Sequence, residues 1–178
     1  MVEEGKNVKE YNEKSEGMLP FPLTVLYVED DPEARELTRF FLESYFTTVL
    51  VTENGEEALD TFLRTPGIDV VVTDLSLPGF DGFEMLRRMR KRQEDLAIII
   101  FSAYAETSQL LQAIELSVEG YLLKPFDPER FEEVILSGVN RLLRRRDVRK
   151  YQEGLEERIR QLETECSALR ARLEAEEK

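Results

Sequence analysis

Reactive side chains follow short apolar runs at four separated places in the chain. They are the acidic run Glu29 to Asp31, then Asp74, Ser102 and Lys124. A carboxylate can attack a phosphorus centre when neighbouring carboxylates hold a divalent cation and a fixed ammonium and hydroxyl take up the charge on the transferred oxygens. Each of these roles has a candidate here, so the pattern predicts a phosphoryl-transfer site.

The elements that must position these residues are apolar runs that alternate with amphipathic stretches. Five runs are predicted as strands: Thr24 to Val28, Thr48 to Val51, Ile68 to Thr73, Ala97 to Phe101 and Tyr121 to Leu123. Strands alternating with helices predict an α/β fold with a doubly wound parallel sheet, whose reactive crevice lies outside the carboxyl ends of the strands. Because Glu29, Asp74 and Ser102 stand at such ends, we expect them to meet.

Capping residues mark where helices begin. Asp31 is predicted to cap a helix that runs to about Tyr45, because its carboxylate can accept from free backbone N–H groups. Asn54 and Asp81 are predicted to open the next two helices. A last helix begins near Asp127 and carries apolar positions suited to docking on the sheet.

Composition and charge limit the class of protein. The chain has 178 residues, 42% of them hydrophobic, which is enough for one domain and an extension. The formal net charge of −13 argues against binding nucleic acid or anionic membranes through the whole surface. The longest apolar stretches fall far short of the roughly 20 residues that cross a bilayer, so no membrane span is expected.

Cysteine and histidine usage adds two constraints. Cys166 is the single cysteine and the chain starts without an apolar secretory segment, which predicts a reducing, cytoplasmic setting. Histidine is absent, which excludes imidazole metal sites, triads with a histidine base and a phosphohistidine carrier. A phosphoryl donor must therefore lie outside this chain.

The two ends of the chain differ from its centre. Residues 1–21 are polar without an apolar period and are predicted to be a disordered leader before a domain at 22–146. Residues 147–178 are predicted to be a coiled-coil helix continuous with the last helix of the domain. Its inner positions are Leu155, Ile159, Leu162, Cys166, Leu169 and Leu173.

Charges beside this seam indicate how two helices would pair. With Leu155 at heptad position d, each g residue faces an e residue of opposite sign, which favours a parallel homodimer. The g residues are Arg158, Glu165 and Arg172, and the e residues are Glu163, Arg170 and Glu177. The alternative is a solvated single helix with internal charge pairs, since only about three heptads carry the seam.

A basic cluster stands where the domain gives way to the coiled coil. It comprises Arg141, Arg144, Arg145, Arg146, Arg149 and Lys150. We interpret it as a solvated helix face. Contact with nucleic acid is the minor alternative, because no DNA-binding module or interleaved aromatic residues accompany the cluster.

Four motifs together resemble the receiver domain of two-component response regulators. They are YVEDDP, VVTDLSLPGFDG, IIFSAY and GYLLKPF, and the resemblance covers roughly Leu23 to Leu143. It implies a flavodoxin-like fold with strand order 2-1-3-4-5. It also implies a phosphoacceptor switch, not a conventional enzyme, that is served by a histidine kinase or a histidine phosphotransfer protein.

The resemblance implies roles in phosphoryl transfer. Asp74 matches the phosphoacceptor, which would become an aspartyl phosphate. Lys124 matches the lysine that pairs first with the acceptor carboxylate and then with the phosphoryl oxygens, and Pro125 matches a proline usually in cis. Ser102 and Tyr121 match the hydroxyl and the aromatic residue that switch together.

The resemblance also implies a Mg²⁺ site, a hard oxygen site of the kind this cation requires. Glu29 and Asp30 match an acidic pair that is commonly two aspartates. Asp30 is expected to be the closer ligand, and Glu29 to reach the ion through water. Asp74 and the backbone carbonyl of Ser76 would complete the protein ligands, while Asp31 is assigned to helix capping.

Two alternatives stay open. The chain could be a constitutive dimerisation or adaptor protein that works without phosphorylation, although intact site residues argue against this. It could also be the receiver fragment of a larger signalling protein, such as a diguanylate cyclase or a sensory or hybrid kinase, since it ends in an open helix.

Overall fold

The computed structural model describes residues 19–104 and 106–176, and the side chains among them as far as residue 170. The chain divides into two compact units, with the boundary between Leu142 and Leu143. Most of the predicted leader lies outside the described residues. The predicted domain limits, 22–146 and 147–178, stay a prediction.

A parallel sheet forms the centre of the first unit. Its strands are β1 Phe21–Val28, β2 Phe46–Thr52, β3 Ile68–Asp74, β4 Ala97–Ser102 and β5 Gly120–Leu123. The strands lie in the order β2-β1-β3-β4-β5, and every neighbouring pair is parallel. The predicted doubly wound, flavodoxin-like fold and its strand order are confirmed.

Helices follow each strand. They are α1 Pro32–Tyr45, α2 Gly55–Arg64, α3 Gly82–Arg92, α4 Thr107–Glu115 and α5 Pro128–Glu176. The three predicted caps form, because the carboxylate or amide oxygen of Asp31, Asn54 and Asp81 accepts from the N–H group of a first-turn residue. None of the described helices has both the length and the apolar character of a membrane span.

The core explains why the middle strands read as continuous apolar runs. The backbone and side chains of Val70–Val72 in β3 and Ile98–Ile100 in β4 are fully buried. A parallel sheet is covered by helices on both faces, so alternate side chains of a central strand both meet apolar neighbours. The buried strands therefore present their polar residues only at their ends.

The first strand begins earlier than its predicted start at Thr24. Phe21 is fully buried and its ring lies 6.4 Å from that of Phe46. The prediction was wrong at this boundary because Pro22 argues against a strand. The pairing register of β1 with β2 is irregular between Phe21 and Thr24, which lets the strand continue past the proline.

Two glycines allow close approaches beside the end of β3. A Cβ atom at Gly55 would lie 2.8 Å from the ring of Phe80, and one at Gly82 would lie 3.1 Å from the carbonyl oxygen of Leu75. Phe80 and Leu75 belong to the segment 75–81 between β3 and α3. The starts of α2 and α3 thus pack directly against the segment that follows Asp74.

A buried carboxylate stabilises the opposite edge of the sheet. Glu119 accepts from the N–H group of Ile98 at 2.5 Å, and Arg90 of α3 lies 3.6 Å away. Arg141 of α5 donates to the carbonyl of Glu119 at 3.0 Å. These contacts join α3, β4, β5 and α5 far from the strand ends that carry the reactive residues.

Ser117 closes α4 in a left-handed conformation, with a φ of 54°. The N–H of Val118 bonds the carbonyl of Ala113, the long-range hydrogen bond of a Schellman motif. Glycine is favoured at this position because a Cβ atom there is strained.

Replacing Ser117 with glycine should raise the free energy of unfolding by about 1 kcal/mol, since the strain of the Cβ atom is removed. Urea unfolding followed by circular dichroism measures this. The matched control is Ser137→Gly in the third turn of α5, which should lower stability by about 0.5 kcal/mol. Equal losses in both variants would contradict the account.

Candidate functional site

Four of the predicted site residues lie at one edge of the sheet. Glu29 follows β1, Asp74 ends β3, Ser102 ends β4 and Lys124 follows β5. The carboxyl ends of parallel strands share an edge, so residues distant in sequence come together there. The Lys124–Pro125 peptide bond is cis, as the resemblance implies.

Lys124 joins two of the acidic residues. Its Nζ donates to Glu29 Oε2 at 2.5 Å and to Asp74 Oδ2 at 2.7 Å. Both carboxylates are buried, with Glu29 only 2% exposed. Hydrogen bonds between charged groups are roughly twice as strong as neutral ones, so this ammonium is the main constraint on the two acids.

The second oxygen of Asp74 is held by the backbone. Asp74 Oδ1 accepts from the N–H group of Ser76 at 2.8 Å. Ser76 lies in segment 75–81, which packs against the starts of α2 and α3. The carboxylate of Asp74 is therefore oriented by a lysine on one side and by a fixed peptide group on the other.

Glu29 has a second donor that sequence reasoning missed. The hydroxyl of Tyr27, which is fully buried, donates to Glu29 Oε2 at 3.1 Å. The available signal was the spacing, because residues two apart on a strand point to the same face. A tyrosine two positions before a strand-end acid can thus reach its side chain.

Burial is the largest single influence on the pKa values of Glu29 and Lys124, and their hydrogen bonds act against it. Burial raises the pKa of Glu29 even though its hydrogen bond to Lys124 acts in the opposite direction. Burial lowers the pKa of Lys124, but the hydrogen bonds and charges of Asp74 and Glu29 outweigh it, so that pKa is raised overall. Two carboxylates share one ammonium, and the excess negative charge disfavours ionised Glu29 while favouring charged Lys124.

The predicted magnesium ligands are only partly brought together. Glu29 and Asp74 contact the same nitrogen, whereas the side chain of Asp30 is exposed and its carbonyl accepts from Arg35. Among the side chains described, those of residues 19–104 and 106–170, no three acidic groups are arranged as a metal site. The donor set still suits a hard cation, since every predicted ligand atom is oxygen and the buried charges sum to a negative excess.

The two predicted switch residues meet at the backbone of Tyr104. The buried hydroxyl of Ser102 accepts from the N–H of Tyr104 at 3.2 Å. The hydroxyl of Tyr121 donates to the carbonyl of Tyr104 at 2.8 Å. A change at Ser102 can therefore reach Tyr121 through one residue, which lies just before α4.

The variant Glu29→Gln tests the raised pKa of Glu29, whose largest cause is burial. A carboxyl whose pKa is raised by folding contributes stability below its unfolded pKa and loses it as pH rises through the folded pKa. The parent should therefore lose stability, relative to Glu29→Gln, as pH rises from about 4.5 towards 7. Urea unfolding in EDTA across this range measures the difference, and parallel pH profiles would contradict it.

Comparison with known proteins identifies the family. The family model described as the response regulator receiver domain matches residues 25–136. The transcriptional regulatory protein ResD of Bacillus subtilis is 36% identical over 121 residues, which are 68% of this chain and 48% of ResD. The chain thus spans about half the length of this curated relative.

Solved structures agree with the fold. The N-terminal domain of an uncharacterized protein from Wolinella succinogenes is 33% identical with a TM-score of 0.62, covering 69% of this chain and 98% of that one. A CheY-like receiver domain protein from Methanospirillum hungatei is 21% identical with a TM-score of 0.65, covering 70% of this chain and 98% of that one. With the family model matching more than half of its length, this chain belongs to the response regulator receiver domains of two-component systems.

Proposed function

We propose that Asp74 accepts a phosphoryl group and that the first unit is a conformational switch driven by this modification. Receiver domains are generally non-enzymatic switches, and their family interacts with histidine kinases or histidine phosphotransfer proteins. The observation that carries the proposal is the pair of hydrogen bonds from Lys124 to Asp74 and Glu29.

Asp74 is the nucleophile in this proposal. One carboxylate oxygen forms a bond to phosphorus while the bond from phosphorus to the donor's imidazole nitrogen breaks, and that nitrogen keeps the electron pair. Lys124 already contacts Asp74 Oδ2, so its ammonium stands where charge on the transferred oxygens must be neutralised. The N–H of Ser76 holds the other carboxylate oxygen in place.

Mg²⁺ is the cofactor in this proposal. Its ligands would be Asp30, Asp74, the backbone carbonyl of Ser76 and, through water, Glu29. When bound, the cation supplies positive charge that offsets the negative charge of the phosphoryl oxygens. The imbalance of two buried carboxylates against one ammonium supports this assignment, because a further positive charge relieves it.

The switch follows from the contacts of Tyr104. A phosphoryl group on Asp74 offers new acceptors for the hydroxyl of Ser102, which now accepts from Tyr104. When the Ser102 hydroxyl turns towards the phosphoryl group, its hydrogen bond with the N–H of Tyr104 weakens. The hydroxyl of Tyr121 bonds the same residue at its carbonyl. Phosphorylation shifts the population only by the difference in interaction free energy between the two arrangements.

Acetyl phosphate and Mg²⁺ should add the mass of one phosphoryl group to the parent but not to Asp74→Ala. Intact mass spectrometry measures this adduct. The matched control is Asp60→Asn on the exposed face of α2, which should be labelled as the parent is. An unlabelled parent would favour the adaptor alternative, in which the fold works without phosphorylation.

We also propose that the second unit pairs with a second copy as a parallel coiled coil. The seam residues whose side chains are described are exposed in the single chain: Leu155 by 46%, Ile159 by 54%, Leu162 by 43% and Leu169 by 58%. Apolar side chains repeating at heptad positions gain by interdigitating with a partner helix. The side chain of Leu173 lies outside those described.

The variant Leu162→Glu should weaken self-association by more than about tenfold, because a carboxylate at a seam position loses its water without gaining a partner. Sedimentation equilibrium of the whole chain measures the dissociation constant. Gln161→Glu adds the same charge at the outer heptad position c and is the matched control. A parent that stays monomeric would support the solvated single helix.

Cys166 reports the direction of pairing. It is exposed and lies at heptad position a, so parallel helices in register place the two thiols side by side. Mild oxidation with copper phenanthroline should give a covalent dimer of the parent and none of Cys166→Ser. A dimer that resists cross-linking would indicate antiparallel or shifted helices.

A further inference from the structure

The acceptor site extends inward to residues that the proposed function does not use. Tyr27 of β1 is fully buried beneath Glu29, and Thr38 of α1 is buried beside it. The phenol donates to Glu29 Oε2 at 3.1 Å, and a hydrogen bond from the Thr38 side chain lowers the pKa of the phenol against the larger effect of burial. Tyr27 therefore joins the inner side of α1 to the acidic site.

These bonds form an unbroken series that ends at the acceptor. Glu29 Oε2 accepts hydrogen bonds from the Tyr27 hydroxyl on its interior side and from Lys124 Nζ at the sheet edge. Lys124 Nζ also donates to Asp74. The position of the Glu29 oxygen thus depends on both donors. A displacement of Glu29 would change the relative strengths of the two hydrogen bonds that the Lys124 ammonium donates to Glu29 and Asp74.

A phenol at this depth is costly unless it is hydrogen-bonded. Burial raises the pKa of Tyr27 far above its ordinary value, so the group stays protonated and remains a donor. A phenylalanine would fill nearly the same volume without the polar penalty. The presence of the hydroxyl is explained by the bond it makes with Glu29.

The length of residue 29 fits the same explanation. Glutamate has one methylene group more than aspartate between backbone and carboxylate. That extra reach lets one oxygen contact the phenol and the ammonium together. Tyr27 and Glu29 are therefore matched in size as well as in hydrogen bonding.

We propose that Tyr27 is a positioning residue of the acceptor site, which holds Glu29 as the partner of Lys124 and so fixes Lys124 beside Asp74. The effect on phosphoryl transfer rests on the proposed function, whereas the effect on Lys124 does not. Thr38 supports the same hydroxyl from α1. Glu29 then places the ammonium in addition to its proposed contact with the cation through water.

The first test needs neither cation nor phosphodonor. The ammonium protons of Lys124, assigned by their loss in Lys124→Met, are followed by ¹H–¹⁵N NMR in EDTA. Tyr27→Phe should speed their exchange with water about fivefold, the factor that a hydrogen bond of ordinary strength is worth. Thr38→Val should change it in the same direction, while Tyr45→Phe, the matched loss of a phenol from the end of α1, should leave it unchanged.

The second test is a double-mutant cycle on labelling by acetyl phosphate and Mg²⁺. Tyr27→Phe should slow labelling about fivefold in the parent and have no further effect in Glu29→Asp, whose shorter side chain cannot hold both donors. Equal slowing in both backgrounds would overturn the proposal, because Tyr27 would then act through packing. Unchanged Lys124 exchange in Tyr27→Phe would also overturn it. If the parent protein is not labelled, only the proposed function is contradicted, because the NMR measurement still decides the role of Tyr27.

Discussion

The ammonium of Lys124 between two buried carboxylates is the interaction on which the rest of the site depends. Removing charges from water is expensive, and each acid is tolerated because the lysine contacts it directly. One positive charge cannot fully offset two negative ones. The protein therefore keeps a local electrostatic deficit that a cation, or the loss of one negative charge, would relieve. That deficit distinguishes this group from an ion pair whose charges balance.

The segment after Asp74 and the backbone of Tyr104 are held by different kinds of contact. Glycine contacts at α2 and α3 hold the segment after Asp74, and the buried Glu119 fixes the far edge of the sheet to α3 and α5. Tyr104, in contrast, is held at its backbone by two hydroxyl groups. A hydroxyl can exchange one partner for another at small cost in free energy, so the response is expected on the side of α4.

Much of the fold could be predicted because its signals are local. Apolar runs, capping residues and the order of strands and helices determine the sheet, and Asp31, Asn54 and Asp81 cap their helices as their sequence positions indicate. The start of β1 at Phe21 was not predicted, because the proline at position 22 argues against a strand there. The contact of Thr38 with Tyr27 was missed because it depends on side-chain reach between elements, whereas the contact of Tyr27 with Glu29 had a signal in their spacing of two residues. The exposure of the Asp30 side chain could not be predicted either, because it also depends on how the elements are arranged in space.

Ser102 and Tyr121 contact the main chain of Tyr104, and the side chain of that residue is 60% exposed. The two hydroxyls are thus connected through a backbone N–H and a backbone carbonyl, and every amino acid except proline provides both. The exposed side chain of Tyr104 is not needed for these two hydrogen bonds. A substitution at position 104 can therefore change the exposed side chain while both backbone hydrogen bonds remain available.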